Sequence, residues 1–144
     1  MGVLATALDN LAAVSVAGVT SYALEETPDV LTRAQLPALV ILPELGGESP
    51  GLEPSSFSAG DGRLAIQVAH VLLLEPVSAG LGMRGALPEL ADAIDTYAAA
   101  LAGDPTLGGA LPTALRCRVR AGVVTYAGTD YHGAIFTHTW QLHV

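Results

Sequence analysis

The chain has 144 residues, 51% of them hydrophobic and only 14% charged, with a formal net charge of −8. That is enough apolar material for one domain with a sizeable core, and too much for a disordered chain. The acid excess excludes a surface that grips nucleic-acid phosphates, and the lone cysteine, Cys117, excludes an internal disulfide or a multi-cysteine metal site.

All six basic residues are arginine. Ordinary soluble domains are about 25% charged, so a coat this sparse implies that part of the surface is covered, most simply by copies of the chain itself. The longest apolar run is about half of the roughly 20 residues that a membrane helix needs. The start of the chain lacks the basic region of a secretory signal, although "MGVLAT" matches the short N-myristoylation pattern.

Residues 2–14 place Leu4, Leu8 and Leu11 on one face, which predicts an amphipathic helix. An irregular connection broken by Pro28 leads to "LPALVILP" (36–43), a short strand with proline at each end. Residues 44–62, rich in Gly, Pro and Ser, read as a long loop whose Leu52 and Phe57 give it something to bury against a partner. "RLAIQVAHVLLLEPV" follows; its second half is apolar on both faces, the mark of a central strand.

"ALPELADAIDTYAAALA" predicts a second helix. Leu87, Leu90, Ala91, Ile94, Ala98 and Leu101 form its apolar stripe, and Glu89, Asp92 and Asp95 face outward. Pro88 suits its first turn, and Gly103-Asp104-Pro105 closes it. Two long alternating strands finish the chain, joined by a short hairpin loop with Gly128 at the tight position. A hairpin of that length either bends or projects beyond the domain. The expected fold is α+β: about four strands, mostly antiparallel, with two packed helices in the order α-β-β-α-β-β, one domain over residues 1–144.

Three features invite a functional reading. Gly80-Leu81-Gly82-Met83-Arg84-Gly85 spells the G-x-G-x-x-G of a dinucleotide site. Five residues separate it from the preceding strand, and the strands that follow form an antiparallel hairpin rather than further βαβ units. The glycines therefore read as a mobile connection. Arg116, Arg118 and Arg120 put half of the basic residues on one strand face. That row reads as a solvated sheet face, or as a partner for acids such as Glu25, Glu26 or Glu48 on a neighbouring subunit; direct DNA contact is the weaker reading, because no aromatics are interleaved. His70, His132, His138 and His143 lack zinc-site spacing, and His70 and His138 fall on apolar faces, where core histidines sit. Cys117 is expected to be buried, and no nucleophile–base pattern appears. The expectation is no catalytic residues, no metal and no cofactor.

The element order, with "LPALVILPE", the long Gly/Pro/Ser loop, "IQVAHVLLLEPV", "LPELADAIDTYAAALA" and the closing "GVVTYAGTDYHGAIFTHTWQLHV", resembles the tail terminator (tail completion) proteins of long-tailed bacteriophages and phage-like particles. The resemblance implies a structural virion subunit of the tail or neck, assembled in the host cytoplasm. Such a subunit forms a homo-oligomeric ring, a hexamer, that caps the tail tube at its final length and docks the head-completion or neck protein. DNA would pass through the channel without sequence-specific binding, and no membrane is involved. Arg116, Arg118, Arg120, Leu52, Phe57, Tyr126 and Tyr131 are then the candidate subunit or tube interface. The alternatives are another virion ring, such as a head–tail neck adaptor or a minor tail protein, or a small-molecule-binding domain built on Gly80–Gly85.

Overall fold

A strand that is apolar on both faces needs cover on both, and the stretch with that pattern becomes the middle of a sheet. The computed structural model describes residues 2–41, 52–78 and 82–144. In chain order it contains helix α1 (Val3–Ala12), strands β1 (Thr20–Ser21), β2 (Ala38–Ile41), β3 (Leu52–Ser58) and β4 (Arg63–Pro76), helix α2 (Met83–Gly103), and strands β5 (Arg116–Tyr126) and β6 (Thr129–His143). Two 3-10 turns, Leu24–Glu26 and Arg33–Gln35, interrupt the connection between β1 and β2. The fold is α+β, a mostly antiparallel six-stranded sheet with a long C-terminal hairpin. Its strand order is β1-β2-β4-β6-β5, with β3 also paired to β4.

β4 is the spine. One flank pairs with β6 from Arg63–His143 to Pro76–Tyr131. The other is shared by β3, which takes Arg63 to Val68, and β2, which takes His70 to Leu73. Both helices lie on one face, where Leu8, Leu11, Leu90, Tyr97 and Leu101 close over Ile66, Val68, Leu72, Phe136 and Trp140. The opposite face carries a smaller core. There Leu31, Tyr22 and Leu36 from the irregular connection cover Val40, Val71, Val124, Tyr126 and Tyr131. Tyr126 fastens this cover by donating its hydroxyl to the Pro28 carbonyl. The cover reaches only one end of the face. At the other end Thr139 and Gln141 are exposed and Thr137 is half-buried.

Three expectations need correction. The loop expected over 44–62 contains β3, and the part of it before residue 52 lies outside the described residues. Proline cannot donate to a ladder, but the register shifts between Pro54 and Ser56, and that bulge on an outer strand accommodates it. The C-terminal hairpin does not project, because β4 accompanies β6 almost to its tip, where Val77 N–H still donates to the Asp130 carbonyl. α2 begins four residues before Leu87 and buries Ala86, Leu90, Ala93, Tyr97 and Leu101, leaving Leu87 53% exposed. Pro88 is consequently an interior residue of the helix.

Two positions dictate their residue type. Gly133 faces Leu72 and Leu73 beside a register shift, and a Cβ there would stand 2.0 Å from the Leu72 carbonyl oxygen. At the hairpin turn both central residues, Ala127 and Gly128, have positive φ (51° and 80°), as a two-residue turn matched to strand twist requires.

Candidate functional site

The alternation read from the sequence places Arg116, Arg118 and Arg120 side by side on the face opposite the helices, opposite Thr139, Thr137 and Ile135 of β6. All three are exposed. β5 is the last strand of the sheet, so its outer flank meets no strand among the described residues. Its helix-side face is also uncovered along much of its length: Ala121 is exposed, and Val119 and Val123 are 48% and 52% exposed. Only the hairpin end is anchored, through buried Val124 and Tyr126. Among the described residues β5 therefore presents an open backbone edge, with arginines on one side and an apolar strip on the other. Edges of this kind pair with another chain unless something blunts them. An ion pair among the described residues, Arg63 with Asp61 at 3.9 Å, lies at the start of β4 and involves neither Arg116 nor Arg118.

At the far edge, β1 is only two residues long and leaves a cleft of about 600 Å³ beside α1. Asp9, Glu25 and Glu26 line it together with small residues such as Ala12, Ala13 and Ala23. The two ends of the sheet thus carry opposite charge.

The other proposed interface residues are scattered. Phe57 is 58% exposed on β3, opposite Leu64. Leu52 opens β3 opposite Val68. Tyr126 and Tyr131 are buried in the smaller core, so their rings pack within the subunit and are withdrawn from any surface that a partner could touch. Both fall on a face whose cover comes from the irregular segment around Leu31, which no periodic pattern announces.

Sequence reasoning missed one constellation. The Tyr97 hydroxyl of α2 lies 2.9 Å from His70 Nδ1 of β4 and 2.8 Å from His138 Nε2 of β6. A hydroxyl has one proton, so it donates to one ring and accepts from the other. The Tyr97 ring stacks on Phe136 with centroids 3.8 Å apart. Both histidines are fully buried, and His70 Nε2 and His138 Nδ1 have no partner among the described residues. Burial, with the neighbouring His138 adding to it, pushes the His70 pKa down to about 3, and burial lowers that of His138 to about 4. Burial also raises the Tyr97 phenol above its ordinary range. Both rings are neutral near pH 7, sealed from solvent, and fixed as polar pins between helix and sheet. The signal for this contact was Tyr97 itself, set four residues before Leu101 and seven after Leu90, on the stripe that is actually buried.

Cys117 is half-buried rather than buried, and burial raises its thiol pKa to about 11, so it is held as the poorly nucleophilic thiol. His132 is buried and His143 exposed, and no group of three or more His, Cys, Asp or Glu side chains that could hold a metal ion occurs among the described residues. Gly82 caps α2 with φ of 83°, and its carbonyl accepts from Gly85 and Ala86; Gly80 and Leu81 lie outside the described residues. β4 and β5 run parallel on either side of α2 in sequence, but antiparallel β6 fills the place between them, unlike the adjacent parallel strands of a dinucleotide fold. No helix among the described residues is long and apolar enough to cross a membrane. Comparison of the chain with protein-family models and with curated proteins found no match.

Proposed function

We propose that this chain is a structural subunit of a virion: it closes with its own copies into a ring that caps the tail tube at its final length and offers the head-side connector a docking surface. One observation carries the reading, the eleven-residue edge strand β5, unpaired along its outer flank among the described residues and exposed on both faces over most of its length. A second copy supplies the missing cover. The two ends of the sheet differ in shape and charge, so successive copies meet head to tail, and such contacts close into rings when the rotation per subunit allows. The sparse charge and the resemblance in element order favour the tail terminator among ring-forming virion proteins. The acid excess suits a channel along which DNA slides without being held.

Native mass spectrometry and negative-stain electron microscopy of the purified chain test the proposal. Closed rings with one fixed subunit number are expected, and rings added to polymerising tail tube protein of the same particle should halt tube growth. A chain that remains monomeric at every concentration would refute it.

A further inference from the structure

We infer that the seam between copies joins the Arg116–Arg118 end of β5 on one subunit to the acidic cleft beside β1 on the next. The inference rests on the ring assembly proposed above and specifies which surfaces meet.

The argument begins with what β5 cannot do. Two copies pairing β5 against β5 about a two-fold axis perpendicular to the sheet would bring both arginine rows onto the same face, side by side. Like charges across a ladder destabilise it, so the arginines oppose the symmetric dimer that an open edge would otherwise form. They do not oppose a partner that offers carboxylates. Arg116 and Arg118 are exposed and make no ion pair among the described residues.

The same molecule carries a complementary surface at the opposite end of its sheet. The cleft there is concave, with a volume of about 600 Å³, and Asp9, Glu25 and Glu26 line it. Glu25 and Glu26 are exposed, and Asp9 is half-buried on α1. Its other walls include Ala12 and Ala13, small apolar groups that suit the uncovered Val119 and Val123 strip. The cleft therefore offers carboxylates for the arginines, and small apolar groups for the valines on the other face of β5. The outer side of α2, with exposed Glu89, Asp92 and Asp95, is also acidic, but it is the convex polar face of a helix and offers the valines no apolar cover. The cleft and β5 lie at opposite edges of one sheet, so each copy donates one edge and receives the other.

Charge reversal tests this on the full chain. Arg116→Glu with Arg118→Glu, and separately Glu25→Arg with Glu26→Arg, should each weaken assembly by about tenfold or more, because like charges then face across the seam. Mixing the two variants should restore rings, since each now carries the edge that the other needs. The four changes combined in one chain should restore them as well. All six positions used here and in the control are exposed, and unchanged circular dichroism and thermal midpoint confirm intact subunits. If wild-type chains form rings but neither mixing nor combination rescues, the seam is wrong while the ring assembly stands. Rescue of the arginine variant by Glu89→Arg with Asp92→Arg instead overturns the cleft in favour of α2. A wild-type chain that never assembles overturns both.

Discussion

Acidification should unfold this protein well before its carboxylates titrate, and the buried histidine pair sets the size of the effect. In the unfolded chain each imidazole takes up a proton below about pH 6.5. In the native state His138 resists until about 4 and His70 until about 3, because burial penalises the charged ring. The unfolded state therefore binds more protons throughout this window. Stability contributed by the pair is complete above about pH 6.5 and is lost as pH falls toward the folded values. For one such histidine the loss at pH 5 is about 2 kcal/mol, and for two about 4 kcal/mol. Small domains have about 5–15 kcal/mol in total, so the drop is a large share. Urea unfolding at pH 8, 6 and 5, followed by the fluorescence of buried Trp140, the single tryptophan, measures it. The double variant His70→Gln/His138→Gln separates the pair from every other titrating group, and its stability should be nearly flat over the same range. A wild-type loss below about 1 kcal/mol between pH 8 and 5, or an equal loss in the double variant, would refute the assignment.

Tyr97→Phe removes the hydroxyl that joins the two rings and leaves His70 Nδ1 and His138 Nε2 without that partner; a loss of about 1–3 kcal/mol per orphaned group is expected in denaturant unfolding, and one under about 0.5 kcal/mol would contradict it. Gly133→Ala drives a methyl group into the Leu72 carbonyl, so the variant should be recovered only as insoluble or unfolded protein; a normal thermal midpoint would show that the β4–β6 ladder can shift to make room. Ala127→Gly relieves an L-residue held at positive φ in the hairpin turn and should stabilise the chain by about 0.5–1 kcal/mol, with an unchanged or lower thermal midpoint as the contrary result.

The parts of the fold that were legible in the sequence are those where burial follows a simple period. β4 announced itself because Val71, Leu72, Leu73 and Leu74 are buried on both faces. The closing hairpin was legible from strict alternation and a glycine at its turn. β3 was not, because a strand containing Pro54 and three serines looks like a loop until a bulge and an outer position accommodate it. The face of α2 was misassigned by a fraction of a turn. Counting aliphatic residues favoured Leu87, Ala91 and Ala98, which are exposed, over Ala86, Ala93 and Tyr97, which are buried. An aromatic ring with a hydroxyl counts for little on an aliphatic stripe, yet two imidazoles beneath the helix make it the best residue for that place. The arginine row was read correctly as one face of one strand. That its strand is the sheet's open edge depends on β6 entering between β4 and β5, which no local pattern encodes.

That insertion also explains why the core and the proposed assembly surface can be separated in so small a chain. β6 lies between two strands and holds Phe136, His138 and Trp140 beneath the helices, so the ordered interior ends one strand short of the edge. β5 is tied to this interior firmly at Val124 and Tyr126 and only partly at Cys117. Between those ties Val119, Arg120 and Ala121 are all exposed. Local opening costs least where few buried contacts resist it, so the arginine end of β5 can adjust its twist to a neighbour without disturbing the histidine pair. In the seam proposed above the charges then decide which neighbour is accepted: arginines repel a second β5, and an acid-lined cleft attracts them. A rigid centre with a compliant, charge-coded margin would let one subunit bind the next without unfolding, as the proposed closed ring of identical parts requires.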